Sequence, residues 1–220
     1  MGHDPNLVAA TAATAESDRR TGGTMPAVRR GPLFVVTVVL ASMVPAAPAV
    51  AHTGLPLGRW WSGIEHPVSG VDHLFAMVTV GILATVLRRP WQLPAAFLGS
   101  MCVGGILGIG GLSLPGGELA VALSVVVLGG ALLVGPTLGA GPALGLVAAA
   151  GLVHGHAHGV EVPAATHPLV YGAGFLVATA VLHLAGVGVG YSVRHRSAPR
   201  HALGVAVLGV GLGLVAGLAA

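Results

Sequence analysis

Two short stretches hold most of the residues that could do chemistry. His66-Pro67-Val68-Ser69-Gly70-Val71-Asp72-His73 runs straight into the apolar segment Leu74–Leu87, and His154-Gly155-His156-Ala157-His158-Gly159-Val160-Glu161 closes another apolar segment. Imidazole nitrogen suits nickel, copper, zinc and ferrous iron, whereas hard ions such as magnesium want carboxylates and carbonyls. Several imidazoles with one or two carboxylates therefore point to a borderline transition metal. Ionisable residues inside membrane spans are costly and rare unless they pair, line a wet cavity or bind something. Two such stretches in so apolar a chain predict one shared metal site.

Helical spacing sets the expected arrangement. On one continuous helix His66 and His73, seven apart, share a face with Met77 below them, while Asp72 points about 100° away. Pro67 suits a first helical turn, which puts His66 at or just before the cap. His154, His158 and Glu161 fall at i, i+4 and i+7 on one face; His156 faces the other way and is evenly balanced between ligand and structural residue. Asp72 either ligates directly or holds an imidazole N–H from behind and raises that ligand's basicity. Glu161 serves equally as a ligand or as a carboxylate at the entrance, and Glu118 and His167 are either solvated or a funnel for cations. His183, deep in a later apolar segment, is a candidate way-station or a histidine bonded to a neighbouring helix.

The elements that must position these residues are membrane spans. Hydrophobic residues make up 54% of the 220, charged residues 8%, and mean hydropathy is +0.87. No water-soluble domain of this length needs so little charge, and apolar runs near the length of a bilayer crossing recur. All ten basic residues are arginines, and those beyond the amino-terminal region flank spans rather than covering a face, which argues against a nucleic-acid partner. Cys102 is the single cysteine, so no intramolecular disulfide can form.

Residues 1–24 read as a polar extension. Met25-Pro26-Ala27-Val28-Arg29-Arg30, the apolar core Leu33–Val44 and the ending Ala49-Val50-Ala51 then read as a cleavable signal peptide over 25–51. An uncleaved anchor is the alternative. Cleavage after Ala51 would leave His52 with a free α-amine beside its imidazole, a small chelate on the outer side and a further metal candidate. Residues 52–220 form the membrane domain, an all-α polytopic bundle of six transmembrane helices at about Val68–Leu87, Leu93–Leu114, Glu118–Val134, Pro142–His158, Pro168–Val189 and His201–Ala219. Short proline- and glycine-rich links make successive helices antiparallel neighbours.

A cleaved signal leaves the mature amino terminus outside, so Arg88-Arg89 and the loop from Arg194 to Arg200 fall inside, as the positive-inside rule requires. Both mature termini then face outward. The two histidine stretches, at opposite ends of the first and fourth spans, thereby reach the same outer level. Glycines four apart (Gly151/Gly155/Gly159, Gly209/Gly213/Gly217, Gly104/Gly108, Gly186/Gly190) mark the expected close helix contacts.

The motifs H-P-x-x-G-x-D-H running into A-M-V-x-V-G, and H-G-x-A-H-G-x-E, resemble the HupE/UreJ family of nickel/cobalt permeases across essentially the whole mature chain. The resemblance implies nickel or cobalt uptake across a bacterial inner membrane, with hydrogenase or urease maturation as an indirect partner and the metal ion as transient cargo rather than a required cofactor. Carried over by position, it implies a first-span site of His66, Asp72 and His73 and a fourth-span site of His154, His158 and Glu161. Two readings from other classes are an intramembrane zinc-dependent hydrolase and a metal-binding membrane subunit that does not transport. The hydrolase reading lacks an H-E-x-x-H motif, and no Walker motif marks ATP hydrolysis.

Overall fold

The computed structural model describes residues 56–162 and 167–220; the extension 1–24, the expected signal peptide 25–51 and His52 lie outside the described residues. Every regular element among the described residues is helical: α1 (Pro56–Ser69), α2 (Val71–Val86), α3 (Gln92–Ile109), α4 (Gly117–Val134), a 3-10 turn (Gly135–Leu138), α5 (Ala140–Val160), α6 (Pro168–Val193) and α7 (Ser197–Gly217). Five of these, α3 to α7, are long and apolar enough to cross a bilayer, and α1 with α2 form a bent pair that makes a sixth span if counted as one. The chain is a multi-pass membrane protein.

The first span differs from the expected straight helix over Val68–Leu87. Helix α1 ends at Ser69, the chain turns by 80°, and α2 starts afresh at Val71. Gly70 makes the break, with an extended backbone at φ −75°, ψ 114°. Its N–H closes α1 on the His66 carbonyl at 3.1 Å, and its own carbonyl opens α2 by accepting from Leu74 N–H at 2.9 Å. Pro67 accordingly sits inside α1 near its end rather than in a first turn. His66 and His73 therefore do not stack along one helix; they approach across a corner.

Helix α2 is the centre of the bundle, buried at nearly every position from Ala76 to Val86 and touched by α1, α3, α4, α6 and α7. Around it the most extensive pairings are α3 with α5, α4 with α7 and α2 with α6. Hydrophobicity gives helices in lipid no reason to associate, so close backbone contact must supply the attraction. Gly104, Gly108, Gly151, Gly155 and Gly159 make the α3/α5 seam, where a Cβ on Gly155 would strike the backbone of Met101. Gly81 and Gly186 do the same for α2 and α6, each lying against the other helix's backbone.

The expected packing role of Gly209, Gly213 and Gly217 is overturned. Nothing lies within 4 Å of a Cβ built on any of them, and α7 instead meets α4 through Gly204 and Gly211. The outer faces of the helices carry bare apolar side chains such as Val181, Leu184, Val205 and Leu212, the surface that lipid covers.

The up-and-down course gives the bundle two chemically distinct ends. One collects the starts of α2, α4 and α6 and the finish of α5, hence the histidines. The opposite end holds Arg88 and Arg89 after α2, Arg194 after α6 and Arg200 at the start of α7, whose guanidinium lies against Gly135. Arg194 also stands 4.8 Å above the ring of Tyr191.

Candidate metal centre

The corner at Gly70 delivers His66 from α1 and His73 from α2 to the last turn of α5. The ring of His158 is 4.8 Å from His66 and 4.2 Å from His73, and His73 is 4.8 Å from His154, all between centroids. Four imidazoles from three helices thus form one connected cluster. Glu161, just past the end of α5, extends it outward, with Oε2 3.4 Å from His66 Nε2 and 3.8 Å from His158 Nδ1. One donor atom from each of His66, His158 and Glu161 lies within 4.8 Å of the others. Opposite donors in a shell with bonds of about 2.1 Å stand roughly 4 Å apart, so small side-chain rotations suffice to close around an ion.

Proton bookkeeping shows which nitrogens are available. The Asp72 carboxylate can only accept, so His73 Nδ1 carries the hydrogen in their 2.6 Å bond, and in the neutral ring Nε2 is the lone pair. Asp72 Oδ1 also accepts the backbone N–H of His73 at 2.9 Å, which pins the carboxylate at the start of α2. Rather than pointing away from the site, Asp72 backs the His73 ring. Gly70 makes room for the pair, since a Cβ there would lie 2.8 Å from His73 Nδ1 and 3.0 Å from Asp72 Oδ1.

His154 is fixed by a residue that the motifs did not single out. Ser124 of α4 spends its one hydroxyl proton on the Val121 carbonyl at 2.7 Å, so its oxygen accepts from His154 Nε2–H at 2.8 Å. Nδ1 of His154 is then unprotonated. That atom, His73 Nε2 and both nitrogens of His158 are enclosed without a hydrogen-bond partner. Buried polar atoms are otherwise almost always paired, so lone pairs gathered at one place suit a cation. Ser124 could have been noticed as the lone hydroxyl of an apolar span, but helical phase alone does not aim it at His154.

Around the cluster, the Phe175 ring lies tilted against His158 at 4.0 Å, Tyr171 flanks His66 at 6.3 Å, and Phe97 closes the floor 5.8 Å from His154. A cavity of about 270 Å³ lies beside it, lined by Asp72, His73, Glu118, Glu161 and the apolar residues Val121, Ala122, Ala157, Leu214 and Leu218. Glu118 thus shares one opening with the carboxylates of both motifs. Its neighbour across the cavity, Glu161, is held below the usual carboxylate range by the bond to His66, against the opposing effect of partial burial.

His156 stands apart from the other motif histidines. Its Nε2–H donates to the Leu112 carbonyl at 2.6 Å, tying α5 to the end of α3. His167 caps the start of α6 and is exposed, and His183 is buried deeper, 5.1 Å from Phe97.

Comparison with known proteins places the sequence in a family. The family profile described as HupE / UreJ protein matches residues 39–214. Protein HupE of Rhizobium leguminosarum bv. viciae is 41% identical over 156 residues, which cover 70% of this chain and 82% of the relative. No solved structure matches the chain.

Proposed function

The chain belongs to the HupE/UreJ family, and from that premise we propose that it is a permease carrying nickel, or cobalt, into the cell through the histidine cluster of α1, α2 and α5. The observation that carries this reading is the set of unpartnered imidazole nitrogens, His73 Nε2, His154 Nδ1 and the unprotonated nitrogen of His158, meeting at one end of a membrane bundle. Neutral imidazoles with nearby carboxylates match the ligand preference of nickel and cobalt.

The ion is received at the half-exposed His66 and Glu161, where it exchanges water for imidazole and carboxylate. His158 belongs to both this outer trio and the deeper group, so it hands the ion inward to His73 and His154 without releasing it. Asp72 makes the His73 ring a better ligand by holding its N–H. His156 braces helices and stays outside the coordinating set. Transport, not catalysis, is the chemistry, driven by the membrane potential or by trapping of the ion inside.

The histidine end faces outward and the arginine end inward across a bacterial inner membrane, by the positive-inside rule. A signal peptide over 25–51 would give the same orientation. Supply of metal to hydrogenase or urease maturation is the corresponding cellular role.

The test is accumulation of radioactive nickel and cobalt by cells expressing the chain, compared with His73→Ala and His158→Ala variants shown to reach the membrane. Wild-type accumulation lost in both variants is the expected result. Equal accumulation in all three rejects the site.

A further inference from the structure

Buried polar side chains among the described residues fall into two groups. His73, His154, His156 and His158 belong to the end already described; Thr79, Thr85, Thr179 and His183 all lie on α2 and α6, deeper in the bundle. These two helices run side by side from the histidine end, in backbone contact at Gly81, whose Cα faces the carbonyl of His183, and at Gly186.

His183 presents its inner nitrogen just as His73 does. Its Nδ1–H donates to the Thr179 carbonyl one turn earlier, at 2.8 Å, so in the neutral ring Nε2 is the unprotonated atom. With 1% of the residue exposed, that lone pair is enclosed and unpartnered, as are the hydroxyl oxygens of Thr79 and Thr179. Thr85, one turn and a half beyond Thr79, differs in that its hydroxyl is engaged with the Gly81 and Val187 carbonyls. The open acceptors therefore cluster between the outer site and Thr85.

Phe97 links the two levels. Its fully buried ring lies 5.8 Å from His154 and 5.1 Å from His183, so it occupies the place between one bare imidazole and the next. A histidine needed only to brace α6 would be satisfied by its bond to Thr179, and an apolar residue would fill the same core without an open lone pair.

We propose that His183 is a second, inner binding station for a divalent transition-metal ion, set in the α2/α6 seam with the ring of Phe97 between it and the outer cluster. It rests on the permease reading and deepens it: the ion captured by His73, His154 and His158 moves past Phe97 to His183 Nε2 and leaves along the seam toward the arginine end. Capture and transit are then separate tasks. Loss of the inner station slows turnover without weakening capture.

The experiment uses the full chain in proteoliposomes, with initial rates of nickel uptake measured against nickel concentration and nickel binding measured on the purified protein. In His183→Asn the amide can still donate to the Thr179 carbonyl but nothing replaces Nε2. The expected result is a maximal rate lowered about tenfold or more, with the half-saturating concentration and the affinity of the outer cluster unchanged. His183→Leu, which fills the same core with no donor atom at the Nε2 position, is read by the same criteria and guards against a folding failure of the first variant. Uptake at the wild-type rate in either variant overturns the inner station alone, and so does a loss of binding that parallels the loss of rate, because that marks a structural role. No uptake by the wild-type chain above empty vesicles rejects the permease reading, and the inner station with it.

Discussion

Asp72 and His73 are neighbours in sequence whose side chains bond each other, Oδ1 to Nδ1 at 2.6 Å, leaving the far nitrogen of the imidazole free to face His154 and His158. On the permease reading, the carboxylate acts on a metal through the ring it holds. In Asp72→Asn the amide oxygen can still accept the N–H but without the charge, and affinity for nickel should fall roughly 10- to 100-fold, the usual effect of losing such a partner. Titration calorimetry on purified protein reads this directly; an unchanged dissociation constant would show that the pair does nothing for binding.

Gly70→Ala places a methyl carbon where His73 Nδ1 and Asp72 Oδ1 now sit at 2.8 and 3.0 Å. The backbone there is compatible with alanine, so the protein should fold and reach the membrane. Because the colliding atoms belong to the proposed ligand and its partner, nickel uptake should collapse while helix content by circular dichroism stays constant. Normal uptake would mean that the corner tolerates more movement than its spacing allows.

Ser124→Ala removes the acceptor that commits His154 to the Nε2–H form. Stability should drop by about 0.5–1.5 kcal/mol, the ordinary worth of one hydrogen bond, and nickel affinity should drop with it because the imidazole no longer holds one tautomer. Ser124→Thr, which keeps the hydroxyl, should retain more affinity than the alanine variant. Equal affinities for the two would argue that orientation of His154 is set elsewhere.

Glycine seams give a paired comparison. Gly155→Ala drives a methyl into the Met101 backbone and should cost about 1–3 kcal/mol, as overpacking does in well-filled interiors. Gly209→Ala meets nothing within 4 Å and should be neutral or mildly stabilising, since alanine is the better helix former. Thermal melts in one detergent, run side by side, decide the matter; similar shifts for both would contradict the packing.

Nickel itself should protect the fold. A ligand bound only by the native state at about 100 times its dissociation constant adds roughly 2.7 kcal/mol. The melting temperature should therefore rise with nickel in the wild type and much less in His158→Ala, whose missing ring is shared by the outer trio and the deeper group. Magnesium at the same concentration should do little, because the enclosed donors are imidazole nitrogens rather than the oxygens it requires.

The meeting of His73 with His154 and His158 was legible from the chain because alternating spans carry the start of one helix and the end of another to the same level. The 80° turn was not legible. Pro67 and Gly70 are consistent with a helix start as well as with a break, and only the packing of α1 on α6 decides between them. The wrong glycine face of α7 has a related cause: with lipid on one side and protein on the other, both apolar, spacing cannot tell which row of small residues is covered. Ser124 and Phe97 were missed because one hydroxyl and one ring in apolar helices announce nothing until α4 and α3 are seen beside His154.

Because α1 turns away at Gly70, α2 has only 16 residues and rises about 24 Å, against a hydrocarbon slab of about 30 Å. Trp60 and Trp61 on the departing helix are the kind of side chain that rests among lipid headgroups. The histidine corner thus stands where α2 alone runs out, about a fifth short of the slab, and the first span completes its crossing only through α1.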